Sequence, residues 1–264
     1  MHLSDLIALW RSRSLVWVLT QRELRARHAG SIAGAMWLYL PPLLTVAAYY
    51  LVFDIVFAMR LGAQAPVRSV GAYLIVGALP WMAFCDAINR GMGSLIDAGG
   101  LLQKNPLPPA LFPARSVLAS GVVYGPLIAV VTLAYLPFHH GSPALLALLP
   151  LATLQLALCW VLAYLLAILA AALRDVLAVV GFMLSVGIYL SPVLFPITMF
   201  PEHWRWVLWL NPMSSLISGY QSVLLTGDWP ALSIWGVTAG WIVFIGTILN
   251  LVIQRSREQL VDWL

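Results

Sequence analysis

Residues 116–173 read SVLASGVVYGPLIAVVTLAYLPFHHGSPALLALLPLATLQLALCWVLAYLLAILAAAL, with no Lys, Arg, Asp or Glu. A spanning helix needs about 20 apolar residues, so this run is too long for one crossing and long enough for two. The segment PFHHGSP at 137–143 supplies the turn between them, since proline and glycine interrupt a helix there. Four further uncharged stretches, 33–53, 69–85, 176–201 and 229–254, accompany it, and the charges gather in the gaps. With 62% hydrophobic residues, 9% charged residues and a mean hydropathy of +0.92, this chain is suited to lipid rather than water.

Working outward, the hydropathy predicts an all-α membrane protein with six transmembrane helices at about 33–57, 69–89, 116–136, 144–172, 176–195 and 231–253. Pro41-Pro42 near the start of the first span predicts a bend or a break there, and Asp54 lies near its far end. An even number of spans puts both termini on one side. On that side stand Arg11, Arg13, Arg22, Arg25, Arg27, Arg90, Lys104, Arg115, Arg174, Arg255 and Arg257, against Arg60, Arg68 and Arg205 on the other. The positive-inside rule then makes both termini cytoplasmic. Three regions follow: a cytoplasmic amphipathic interface helix within 1–32, a six-span domain over 33–254 and a cytoplasmic tail over 255–264.

The leading segment is too charged to resemble a cleavable signal peptide. Ser4 is placed to cap a helix carrying Leu6, Ile7, Leu9 and Trp10, and a second apolar stripe runs through Leu15, Val18, Leu19 and Leu24. With Trp10, Trp17 and the arginines this reads as a helix lying in the membrane interface; the alternative is an irregular basic tail. Between spans two and three, Arg90–Arg115 forms a short helix and then meets Pro106, Pro108 and Pro109. It reads either as a docking surface for a cytoplasmic partner or as a plain loop. Residues 196–230 are too apolar for an external loop. Their Trp204, Trp206, Trp209 and the Asn211-Pro212 break point to re-entrant or interfacial helices between spans five and six.

Several chemistries are excluded. No Gly-x-x-x-x-Gly-Lys-[Ser/Thr] phosphate loop, His-Glu-x-x-His zinc motif or Gly-x-Ser-x-Gly nucleophile elbow occurs. Cys85 and Cys159 lie in apolar sequence and read as packing residues, and His139-His140 reads as a polar external turn rather than a metal site. Asp54 and Asp86 are far apart in the chain and form no carboxylate pair. The single lysine and the lack of a basic stripe interleaved with aromatics exclude nucleic acid as a partner.

The order of short motifs resembles the permease of ABC-2 type exporters, above all the bacterial O-antigen, teichoic-acid and capsule polysaccharide group. The matching positions begin with Arg22-Glu23-Leu24, Arg27, Gly30-Ser31, Gly34 and Trp37, followed by Pro41 and the aromatics Tyr49, Tyr50 and Phe53. They continue through Gly77, Leu79-Pro80-Trp81, Phe84, Asn105-Pro106, Phe112-Pro113 and Arg174-Asp175, and end with Ser191-Pro192-Val193, Asn211-Pro212-Met213 and Gly219-Tyr220. The resemblance covers about 15–257. The chain departs from the pattern at His28-Ala29 and at Pro108-Pro109.

The resemblance implies a non-enzymatic subunit of the bacterial inner membrane. It implies a homodimer bound to two copies of a separate cytoplasmic ABC ATPase, which holds the ATP and Mg, while this chain holds no cofactor. It places coupling to the ATPase at Ser94, Leu95, Asp97, Leu101, Leu102, Lys104 and Asn105. Arg22, Glu23, Arg27, Asp86 and Arg90 are candidates for an interface-helix gate, with Glu23–Arg27 and Asp86–Arg90 at i,i+4 spacing; ordinary snorkelling is the other reading. Trp81, Tyr189, Phe195, Trp204 and Trp206 are candidate glycan-passage residues, or else members of an interfacial aromatic belt. The implied cargo is a polyprenyl-diphosphate-linked polysaccharide. Export of a drug or small lipid, and a membrane enzyme acting on lipid-linked sugars, are the alternatives.

Overall fold

A computed structural model describes residues 3–62, 65, 67–105 and 107–256, with side chains described from residue 7 onward. Ser4 and Leu6 as side chains, Pro106, and the tail from Arg257 lie outside this description. The described secondary structure is helical throughout, apart from one isolated bridge between Arg60 and Ser69.

Two helices, α1 (Leu3–Arg11) and α2 (Arg13–Ala26), precede the first long helix. The chain reverses between α2 and α3 (Met36–Val56) through Gly30 and Gly34 at φ +77° and +55°, a backbone region that glycine enters without steric cost. Pro41 and Pro42 stay inside α3 without breaking it. The irregularity falls instead at its far end, where Tyr50–Val56 widens into a π-helix. Ser69 caps α4 (Val70–Asp97) by accepting a bond from the Ala72 amide at 3.0 Å. A short α5 (Gly99–Leu102) leads to α6 (Leu111–Ala134), then α7 (Leu136–His139) and α8 (Pro143–Ala172), which opens on Ser142 as N-cap and Pro143 as the first helical residue. The chain continues through α9 (Asp175–Gly187), α10 (Trp206–Trp209), α11 (Ser214–Gln221, running on as a π turn to Thr226) and α12 (Leu232–Ser256).

Among the described residues, five helices are long and apolar enough to cross a membrane: α3, α4, α6, α8 and α12. The chain is therefore an all-α, multi-pass membrane protein. The fifth predicted span, 176–195, contains only the 13-residue α9, because Gly187 and the Ser191-Pro192 turns end the helix early. The second and third spans extend past their hydropathy limits, α4 to Asp97 and α6 back to Leu111. Arg90 lowers the hydropathy of its window but does not stop a helix; α4 ends only at the Ala98 turn.

The bundle is organised around α4, which packs on α6 and α8, while α2 lies along α6 and α12 along α8. Gly91 permits the α4–α8 approach: a Cβ there would lie 2.6 Å from Ala163 Cβ. By contrast α3 buries only Pro42, and α9 buries nothing. Their apolar faces, such as Leu43 and Leu44 on α3 and Phe182 and Met183 on α9, are open in the single chain, as lipid-facing or subunit-facing surfaces are. At 28 residues α4 is about 42 Å long, more than the roughly 30 Å hydrocarbon core, so one end of it projects.

His139 departs from its predicted role as a polar turn residue. It is buried, with Nε2 2.8 Å from the Thr132 carbonyl and Nδ1 accepting from the Gly141 amide at 3.2 Å, so it stitches α6 to the α7–α8 corner.

Candidate functional site

Helical spacing on three elements converges at one end of the bundle. Glu23 on α2 and Arg27 at its C-cap are four residues apart, as are Asp86 and Arg90 on α4 and Ser116 and Ser120 on α6. The two sequence-predicted pairs both form: Arg27 Nη2 donates to Glu23 Oε1 at 3.1 Å, and Arg90 Nε donates to Asp86 Oδ1 at 2.8 Å. They are not separate, because Arg27 Nη1 also donates to Asp86 Oδ2 at 3.1 Å and ties α2 to α4. From α6, Ser116 donates to Glu23 Oε2 at 2.9 Å, Ser120 donates to Asp86 Oδ2, and Arg115 Nε lies 3.4 Å from Glu23 Oε2 without hydrogen-bond alignment.

Burial separates the members. The Arg27 side chain is 5% exposed, Glu23 15% and Asp86 19%, whereas Arg90 is 46% exposed. Arg27 is thus an enclosed cation between two carboxylates, with its Nε unpartnered among the described residues. Such a cluster resists both drying and separation: removing one partner of a buried pair typically costs about 3–5 kcal/mol. It fixes where the end of α2 meets the bundle. Arg22 stays exposed, beside a polar cavity of about 520 Å³ shared with Arg90, Asp97 and Arg115. Arg115, Ser116 and Ser120 were missed as site residues. Their signal was present in the sequence as polar side chains at one-turn spacing at the head of an otherwise apolar helix.

Past this cluster, α4 projects toward the segment predicted to dock a partner. Ser94 and Leu95 are buried there, and the Ser94 hydroxyl is spent on the Gly91 carbonyl at 2.6 Å. They face the bundle of this chain. Asp97, Leu101, Lys104 and Asn105 are exposed and Leu102 is half-buried; Asn105 Nδ2 donates to the Leu101 carbonyl at 3.3 Å and holds the turn after α5.

The other end relies more on uncharged polar groups. Asp54 accepts from Ser69 Oγ at 2.7 Å and from the Gly71 amide at 3.2 Å, with Arg60 at 3.7 Å, so the π turn of α3 is tied to the start of α4. The Tyr73 hydroxyl lies 2.9 Å from the Pro192 carbonyl, 3.1 Å from that of Phe195 and 3.2 Å from Gln221 Oε1, and Gln221 Nε2 donates to Pro192 at 2.7 Å. Asn211 donates to the Gly187 carbonyl at 3.2 Å and accepts from the Met213 amide at 3.0 Å. These bonds seat α11 inside the bundle.

Of the aromatic passage candidates, Trp81 is buried against Phe84 and Gly187 and is a packing residue of the single chain. Tyr189, Trp204 and Trp206 are exposed; Trp204 stacks on Trp206 with centroids 6.3 Å apart, and half-buried Phe195 stacks on Phe200 at 5.6 Å. Among the described residues no group of three or more His, Cys, Asp or Glu side chains is arranged to hold a metal ion.

Residues 14–225 match the model of the ABC-2 type transporter family. The chain is similar to the O-antigen export system permease protein RfbA of Myxococcus xanthus, 33% identical over 95% of each chain. It is 27% identical to the inner membrane transport permease YadH of Escherichia coli K12, over 83% of this chain and 88% of that one. With the polysialic acid transport protein KpsM of Escherichia coli it shares 24% identity over 92% of this chain and 93% of its relative. A match this long, from α2 through α11, places the protein in the ABC-2 type transporter family.

Proposed function

We propose that this chain is the permease subunit of an exporter that moves a polyprenyl-diphosphate-linked, O-antigen-like polysaccharide outward across the bacterial inner membrane. The observation carrying the proposal is the end-to-end similarity to an O-antigen export permease. The chain is a transport subunit, not an enzyme. ATP and Mg belong to a separate ATPase, two copies of which join a homodimer of this permease. The open apolar faces of α3 and α9 are consistent with a second copy and lipid sharing that surface.

In this reading α9 is a shortened fifth crossing, α10 and α11 form the re-entrant element, and α12 completes six spans. The excess of arginine on the Asp86 side supports a cytoplasmic position for that end and for both termini. The exposed Asp97–Asn105 surface receives the ATPase, and its motion passes along α4 to the Arg27 cluster and onward to Tyr73 and α11. Exposed Tyr189, Trp204 and Trp206 then stand at the outer rim, where flat rings suit sugar faces.

The test is ATP hydrolysis by the permease–ATPase complex in lipid, with and without purified lipid-linked glycan. Stimulation by glycan is the expected result. Stimulation only by small amphiphiles would move the assignment to drug or lipid export, and failure to assemble with an ATPase would overturn it.

A further inference from the structure

The interface helices do not lie flat on the bundle along their whole length. Between α1–α2 and the α6–α8 pair runs a groove of about 490 Å³. Its walls are Val16, Val117, Leu118, Leu156 and Trp160, and the Trp160 ring nitrogen is turned away to the Ala110 carbonyl at 3.4 Å, so the indole presents only carbon. Polarity is confined to the rim, where the Arg13 guanidinium carbon sits 5.2 Å from the Trp10 ring centroid. Arg27, Arg90 and Arg115 each have a carboxylate partner; Arg13 has none among the described residues. The groove lies beside the first two turns of α6, at the level where charged groups begin.

We propose that this groove binds one anionic phospholipid of the surrounding leaflet, with an acyl chain along the apolar walls and its phosphate on Arg13. One turn of a docked protein helix, about 10 Å across, is a bulkier and stiffer occupant. An acyl chain is thinner and bends to fit. The charge supports the same occupant. A lone guanidinium held by an aromatic ring, facing lipid headgroups, is the complement of a singly charged phosphodiester. The bound lipid would replace the contacts that α1 does not make with the bundle and so set the tilt of the helix leading to Arg27.

The experiment is native mass spectrometry of the permease–ATPase complex, taken from vesicles with equal phosphatidylglycerol and phosphatidylcholine of matched chains, without glycan. One phosphatidylglycerol retained per permease chain is expected, reduced about tenfold in Arg13→Glu and in Ala114→Leu, which narrows the groove without changing charge. Arg13 is exposed, so that variant leaves the fold intact. Equal retention of both lipids, or unchanged retention in Arg13→Glu, would overturn the proposal. So would retention by the permease alone that vanishes when the ATPase binds, or a polyprenyl phosphate in place of phospholipid. The readout involves no transport, so it stands or falls separately from the assignment of cargo.

Discussion

Replacing Arg27 with alanine strands two carboxylates at once. Glu23 and Asp86 are 15% and 19% exposed, and each takes a 3.1 Å bond from this guanidinium. Breaking a buried pair from one side costs about 3–5 kcal/mol. Both carboxylates keep other donors, Ser116 on Glu23 and Ser120 and Arg90 on Asp86, so the lower end, about 3 kcal/mol, applies. For a chain of this size that is a fall in Tm of about 6–12 °C. Arg90→Ala removes a 2.8 Å bond to the same Asp86, but from a side chain 46% exposed, and should cost about 0.5 kcal/mol or less. Arg27→Lys keeps the charge but loses the fork that reaches both carboxylates, and should fall between. Thermal unfolding in lipid nanodiscs, followed by the fluorescence of the 12 tryptophans, distinguishes the three. Equal Tm values for Arg27→Ala and Arg90→Ala would refute the view that the cluster acts as one enclosed unit.

Gly91→Val should lower Tm through overpacking of about 1–3 kcal/mol, since a Cβ at Gly91 already meets Ala163 at 2.6 Å; a simultaneous reduction at Ala163 should recover part of it. Tyr73→Phe removes one hydroxyl donor shared among the Pro192 and Phe195 carbonyls and Gln221 Oε1; Pro192 keeps the Gln221 amide, so the loss should be about 1 kcal/mol, with faster proteolysis between α9 and α11 as the second readout. Leu101→Asp should reduce co-purified ATPase more than tenfold with Tm unchanged, whereas Ser94→Ala, inside the bundle, should retain the ATPase.

The long elements were legible because lipid imposes one rule, about 20 predominantly apolar residues per crossing, that α3, α4, α6, α8 and α12 all obey. Helix ends were less legible. Hydropathy dropped at Arg90, yet α4 ran on to Asp97, since caps and glycines rather than charges end helices. The i,i+4 pairs were readable from spacing; that Arg27 joins them, and that Arg115, Ser116 and Ser120 complete the cluster, depended on how three helices are rotated against one another. The same limit applied to Ser94, Leu95 and Trp81, whose facing is set by tertiary packing. His139 looked like a turn residue because its partner, the Thr132 carbonyl, is freed only where α6 ends.

The length of α4 has a mechanical consequence. Asp86 divides it into an arm of about 16 Å toward Asp97 and one of about 24 Å toward Val70. If the salt-bridged collar around Asp86 is the fulcrum, a 2 Å stroke delivered at the short arm becomes a displacement of about 3 Å at the long one. Within the long arm Pro80 has no N–H for the Val76 carbonyl, while its own carbonyl accepts from Gln155 of α8 at 2.9 Å, which ties this stretch of the rod to α8. A single rod geared this way turns a small movement on one face of the membrane into a larger one on the other, with no need for the helix to unwind.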